Sequence, residues 1–123
     1  MVKCALISGR GMGMMHGGNF HNHAEAEVVA VCDMDPELRE KAEAEFQVQG
    51  YENIDELLTN CDVDLVLLIV NETRRIPPLR QLLAAGQNVF TEKPIELIHF
   101  ASGNEKSLWL QPRNLIVVEK GAE

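Results

Sequence analysis

The stretch Val2-Lys3-Cys4-Ala5-Leu6-Ile7-Ser8-Gly9-Arg10-Gly11-Met12-Gly13-Met14-Met15-His16-Gly17, with the apolar run Val28-Val29-Ala30-Val31-Cys32 and then Asp33 behind it, decides the architecture of this chain. Val2 to Ser8 reads as a buried strand, Met12 to His23 as the segment of a first helix, and Glu27 to Asp33 as a second buried strand. A turn that leaves a strand tightly and brings its backbone close to a phosphate leaves no room for side chains at Gly9 and Gly11. The amino end of the following helix offers unpaired N–H groups and the positive end of a dipole, a seat for phosphate. Asp33 lies about 24 residues beyond Gly9, where a carboxylate ending the second strand accepts hydrogen bonds from ribose hydroxyls. These features predict a dinucleotide-binding β-α-β unit with cofactor contacts at Gly9, Arg10, Gly11, Met12, Gly13 and Asp33. A carboxylate at Asp33, followed by Met34 rather than an arginine, favours NAD over NADP, whose 2′-phosphate would face a negative charge.

The glycine pattern is irregular. Counted from Gly9, the position of the third glycine, which normally lets helix and strand pack closely, holds Met14; counted from Gly11 it holds His16. Gly17 and Gly18 each cost a helix about 1 kcal/mol relative to alanine, so the first helix is expected to be short or irregular.

Outward from this stretch, short apolar runs alternate with helical patterns. Asp35 with Pro36 opens a helix through Glu37 to Phe46, and a brief strand follows over Gln49 to Tyr51. Asn53 or Asp55 caps a short helix through Leu57 and Leu58. Val63 to Val70 reads as a central strand, and Asn71 to Arg74 as a turn. A helix then packs through Leu79, Leu82 and Leu83 and ends on Gly86. Asn88 to Thr91 is a fifth strand, delivering Glu92-Lys93-Pro94 at its carboxyl end. The expected fold is α/β: a doubly wound, mainly parallel, Rossmann-like sheet in a single three-layer domain over residues 1–123. Its sheet order would be 3-2-1-4-5-6, with an interrupted helix over Ile95 to Leu110 and a sixth strand over Leu115 to Glu119. Ligands of such sheets sit beyond the carboxyl ends of the strands, which places Glu92, Lys93 and Pro94 on the rim of the glycine turn.

The 123 residues carry 11 Lys plus Arg against 19 Asp plus Glu, a net charge of -8. Such a surface repels phosphate backbones, which argues against nucleic acid or anionic membrane as a partner. With no span-length apolar run and no cleavable leader in view, the chain is expected to be cytoplasmic. Cys4, Cys32 and Cys61 have no metal-binding spacing, and Cys4 and Cys32 fall inside strands, where a thiol behaves as a small apolar side chain. His16, His21 and His23 have no obvious carboxylate or thiol to complete a metal site and read as exposed or capping residues; no metal is expected.

These residues resemble the Gfo/Idh/MocA family, the glucose-fructose oxidoreductase and inositol dehydrogenase group, over Met1 to about Ile95. The likeness lies in Val29-Ala30-Val31-Cys32-Asp33 with Asp35-Pro36, in Asp55-Glu56-Leu57-Leu58, in Asp62-Val63-Asp64-Leu65-Val66, and above all in Gly86-Gln87-Asn88-Val89-Phe90-Thr91-Glu92-Lys93-Pro94. The resemblance implies NAD(P)-dependent oxidation or reduction of a sugar or polyol carbon. It implies Lys93 as the catalytic residue beside the reacting hydroxyl, with Glu92 and Pro94 shaping the pocket and Asn71 touching the cofactor. Removing a hydroxyl proton as hydride leaves is within the reach of an amine whose pKa a neighbouring cationic nicotinamide lowers. Two departures stand out. Where the family has Thr-Pro-Asn-x-x-His, Ile69-Val70-Asn71-Glu72-Thr73-Arg74 keeps only the Asn and places Arg for His. The family's second, substrate-binding domain has no counterpart here, so the chain is expected to need a complementing chain or to form a homo-oligomer. The segment 95–123 reads as divergent or truncated. The alternative readings are a nucleotide-binding module without turnover and a truncated remnant.

Overall fold

The computed structural model describes residues 1–93, 98–100, 106–111 and 114–116. It divides into two compact units, Met1–Thr91 and Glu92–Glu123. The first unit runs β1 (Val2–Ile7), α1 (Gly11–His21), β2 (Ala26–Cys32), α2 (Pro36–Phe46), β3 (Gln49–Tyr51), α3 (Ile54–Asn60), β4 (Leu65–Leu68), a 3-10 turn (Glu72–Arg74), α4 (Ile76–Ala84) and β5 (Val89–Thr91). Its five strands form one parallel sheet in the order β3-β2-β1-β4-β5. The chain winds outward from β1 to β3, then returns to β4 and β5 on the other side. Rightward crossovers therefore set α1 and α2 on one face, and α3 and α4 on the other. This is the doubly wound, Rossmann-like α/β fold.

Both faces of the sheet are buried, which is why the strands read as continuous apolar runs rather than as alternating ones. Cys4, Leu6, Val28, Val31, Leu67 and Ile69 make one core with Ala42 and Phe46 of α2, and Met14, Phe20 and Phe90 pack against it. By the period of two, Ala5, Ile7, Ala30, Cys32, Val66 and Leu68 point to the opposite face, where Leu57, Leu79 and Leu82 are buried. A shift of register between Cys4 and Ala5 pairs Cys4 with Val28 but Ala5 with Ala30. That bulge keeps Val28 and Val31, three residues apart, on the same face.

Local chemistry sets the helix ends. Asp35 accepts hydrogen bonds from the N–H groups of Glu37 and Leu38, with Pro36 in the first turn of α2. Of the two expected caps of α3, Asn53 serves, accepting from Glu56 N at 2.9 Å, while Asp55 accepts from Gln81 Nε2 at 2.7 Å. Gly86, at φ 78°, leaves α4 in the left-handed region that a side chain would strain.

Three expectations are corrected. α1 is a regular helix of 11 residues despite its glycines, because a Cβ on Gly17 would come within 2.8 Å of Phe46 Cζ and 2.9 Å of Leu6 Cδ2. That close approach brings α1 onto β1 and α2, and packing outweighs propensity. The helix expected over Ile95 to Leu110 is instead two strands of the second unit, β6 (Ile98–Phe100) and β7 (Lys106–Gln111), paired antiparallel. Ser102-Gly103-Asn104, expected to interrupt that helix, lies outside the described residues. The sixth parallel strand is also absent from the described residues. β8 (Asn114–Ile116) pairs antiparallel with β7 in a separate sheet, β6-β7-β8; residues 117–119 lie outside the described residues.

Candidate cofactor site

The site is built where β1 and β2 end side by side. Ser8 N donates to Cys32 O at 3.2 Å, extending the pairing by one residue. Ser8 then turns the chain with φ 128°, a conformation that L side chains rarely adopt and that costs on the order of 1–3 kcal/mol. Gly9 N donates to Asp33 Oδ2 at 2.8 Å, while Asp35 N donates to Asp33 Oδ1 at 2.9 Å. The Asp33 carboxylate thus braces the turn after β1 against the turn after β2. Each of its oxygens accepts a second hydrogen bond in ordinary geometry, so capacity remains for a ligand hydroxyl. Arg39, one turn into α2, donates from Nη1 to Asp33 O at 2.9 Å.

α1 begins at Gly11 behind an extended Arg10, with no side-chain cap. Met14 N closes the first turn on Arg10 O at 3.0 Å, so the N–H groups of Gly11, Met12 and Gly13 have no partner inside the helix. A Cβ on Gly11 would meet nothing within 4 Å. The first-turn amides and an open approach over Gly11 suit an anion.

The glycines fall in a register one residue earlier than the sequence suggests. A Cβ on Gly13 would lie 2.6 Å from Ser8 O at the end of β1, so Gly13 performs the close helix-to-strand packing expected of the third glycine. Counting back, Ser8 holds the tight-turn position, which its φ confirms, and Arg10 holds the middle one. The expectation that Met14 occupies the third position is therefore corrected. Gly9, whose Cβ would lie 2.6 Å from Leu38 O, makes room for α2. The signal for this register was present in the spacing Ser8, Arg10, Gly13, hidden because two of its three positions are not glycine.

Asn71, exposed beyond β4, accepts from Thr73 N at 3.0 Å and Thr73 Oγ1 at 2.9 Å, capping the 3-10 turn. Of the two arginines there, Arg74 is exposed and Arg75 is buried at 2 % exposure, so the side chain that turns inward at this loop is Arg75. Thr91 Oγ1 donates to Leu68 O at 2.8 Å, tying the ends of β4 and β5. In the second unit Glu92 is half-buried and Lys93 exposed; Pro94 lies outside the described residues. Met12 and Met34 are exposed apolar side chains, one in the first turn of α1 and one directly after Asp33.

The histidines and thiols have structural surroundings. The His16 and Phe20 rings meet Phe90 edge-on at 5.3 and 5.4 Å, covering β5, and His21 meets Phe46 at 5.5 Å. His23 Nδ1 accepts from Glu25 N at 3.1 Å. Among the described residues, no three His, Cys, Asp or Glu side chains are grouped to hold a metal ion. Burial, reinforced by the Asp33 charge, pushes the Cys32 thiol up to about 11. Burial likewise raises Cys4 and Cys61. All three stay protonated at neutral pH, which makes them poor nucleophiles.

A family model described as "Oxidoreductase family, NAD-binding Rossmann fold" matches residues 2–117. The chain belongs to this Gfo/Idh/MocA family. The WlbA dehydrogenase of Chromobacterium violaceum, solved with NADH and UDP-GlcNAcA, is similar at 29% identity and TM-score 0.71 over 76% of this chain and 27% of that one. The scyllo-inositol dehydrogenase of Lactobacillus casei, solved with NAD(H) and scyllo-inositol, gives 25% identity and TM-score 0.71 over 80% of this chain and 29% of its own. GenD2 from gentamicin A biosynthesis, solved with NAD, gives 26% and 0.71 over 76% and 27%. This Gfo/Idh/MocA chain thus spans under a third of the length of these structures. No protein of curated function matches it in sequence. Among its described residues, no helix is long and apolar enough to cross a membrane.

Proposed function

We propose that this chain is the cofactor-binding part of an NAD-dependent dehydrogenase acting on a carbinol or carbonyl carbon of a sugar or polyol. The observation that carries the reading is the brace between Gly9 N and Asp33 Oδ2 at 2.8 Å, which holds the turn at the α1 amino end in register with the carboxylate beyond β2. In this arrangement Asp33 receives the adenosine ribose hydroxyls, and the amides of Gly11, Met12 and Gly13 receive the pyrophosphate. Arg10 and Met12 flank the turn. The negative charge at Asp33 favours NAD over NADP, and the Arg39 guanidinium engages the main chain of Asp33. NAD, when bound, supplies the hydride acceptor or donor.

Lys93 takes the hydroxyl proton on Nζ as hydride leaves the carbinol carbon, and returns it in the reverse direction. Glu92 and Pro94 shape the pocket around it, and Asn71 borders the cofactor from the turn after β4. This chain spans under a third of the similar dehydrogenases, and contacts that fix the substrate and exclude water come from a counterpart of their remaining length, from a second copy of the chain or from a complementing chain. Three free thiols are at home in a reducing compartment, which supports a cytoplasmic place of action.

The test is a calorimetric titration of the chain with NAD and with NADP, beside an Asp33→Ala variant. Saturable NAD binding, weaker for NADP and weaker in the variant, is the expected result; a folded chain that gives no heat with either nucleotide overturns the reading. With the substrate-binding part supplied, Lys93→Ala is expected to abolish turnover and leave NAD affinity unchanged.

A further inference from the structure

The turn after β1 departs from an ordinary dinucleotide turn at two of its three glycine positions, and the two departures are linked. Ser8, at φ 128°, places its Oγ to accept the Arg10 N–H at 3.3 Å. The next amide back, that of Gly9, is held by Asp33 at 2.8 Å. Two amides at the mouth of the turn are therefore engaged within the protein. Between Ser8 and Gly13, where bare backbone ordinarily lets a pyrophosphate approach, the chain has Arg10, exposed and extended at the start of α1. Its guanidinium carries five N–H donors in a planar fork that matches phosphate oxygens. The chain bears a net charge of -8, and the Asp33 carboxylate is seated on Gly9 N in the turn, so an approaching dianion meets an unfavourable field. A cation at the helix amino end offsets that field at the place where the phosphates arrive.

We infer that the Arg10 guanidinium pairs directly with the cofactor's pyrophosphate, substituting for the amide that Ser8 engages. The inference rests on the NAD-binding reading above and deepens it: cofactor affinity depends on a side-chain charge where amides and the helix dipole ordinarily suffice. Such an exposed pair is screened by salt, whereas the contacts of adenosine, which has no phosphate, are indifferent to Arg10.

The experiment titrates the full chain, Arg10→Gln and Arg10→Lys with NAD by calorimetry at about 0.01 M and about 1 M salt, and with adenosine by NMR shifts. Arg10→Gln is expected to weaken NAD about tenfold at low salt, to flatten the salt dependence and to leave adenosine unchanged. Arg10→Lys is expected to keep the salt dependence with a smaller loss. Unchanged NAD affinity and salt dependence in Arg10→Gln overturn the inference and leave the NAD reading standing. An equal loss of NAD and adenosine also overturns it, because the turn itself has then failed. If the parent chain binds no NAD at either salt, the NAD reading falls and the inference with it.

Discussion

Two turns leave neighbouring strands of the same sheet on the same rim, yet they are built on opposite terms. After β1, the backbone approaches other backbone so closely that side chains are excluded at Gly9 and Gly13, and a distant carboxylate, Asp33, ties the turn in place. After β4, side chains do the work: Asn71 caps a 3-10 turn through Thr73, Arg75 turns inward, and α4 starts on its prolines. A turn whose backbone makes the contacts tolerates almost no change at a few positions, while a turn held by side chains accepts substitutions that keep a cap and a buried anchor. Both turns depart from the expected patterns, the first at Ser8 and Arg10 and the second at Ile69, Val70 and Arg74, and in each the close contacts that remain, Gly13 on Ser8 O and Asn71 on Thr73 N, hold the turn.

The comparison can be broken at its strongest point first. Gly13→Ala drives a Cβ to 2.6 Å from Ser8 O, which is backbone and cannot swing aside, so urea unfolding should show a loss of about 2–3 kcal/mol. Gly11→Ala, with nothing within 4 Å of its Cβ, should stay within about 0.5 kcal/mol of the parent. Equal effects at both positions would remove the distinction between a packed and an open glycine. Next in size, Asp33→Ala strands the Gly9 and Asp35 amides and should cost about 2 kcal/mol, with faster amide exchange at Gly9 by NMR. Retained protection there would mean that the brace is dispensable.

A gain is expected at Ser8. Ser8→Gly relieves the φ of 128° and should raise the unfolding free energy by about 1 kcal/mol; a loss would show that the Oγ bond to Arg10 N outweighs the strain. The smallest effect belongs to the other turn. Asn71→Ala removes the acceptor for Thr73 N and should cost about 0.5–1 kcal/mol and, because Asn71 borders the cofactor in the proposed complex, weaken NAD modestly, as read by thermal denaturation with and without nucleotide. Unchanged NAD affinity would take Asn71 off the cofactor and leave its part in the turn after β4 a structural one.

What could be read along the chain was whatever short-range chemistry controls. Continuous apolar runs announced strands buried on both faces, and Asp35-Pro36 and Gly86 marked helix ends, because each signal is carried by residues within a turn or two of one another; the 24 residues from Gly9 to Asp33 were legible only as the length of one β-α-β unit. The family likeness added Lys93, whose role belongs to the proposal. Other features needed the third dimension. Whether Gly17 breaks or permits a helix depends on Phe46 and Leu6 arriving beside it. Which residue holds the tight turn depends on Gly13 meeting Ser8 O, and the inward choice of Arg75 over Arg74 on the path of the chain into α4. The pairing of β7 with β6 and β8, where a helix and a parallel strand were expected, is by contrast local, since Phe100 pairs with Lys106 and Gln111 with Asn114; there the choice of strand over helix was not visible in the apolar pattern. Periodicity and capping are local energies that a sequence displays directly, whereas register, close approach and strand partnership are decided by contacts that exist only once the chain has folded.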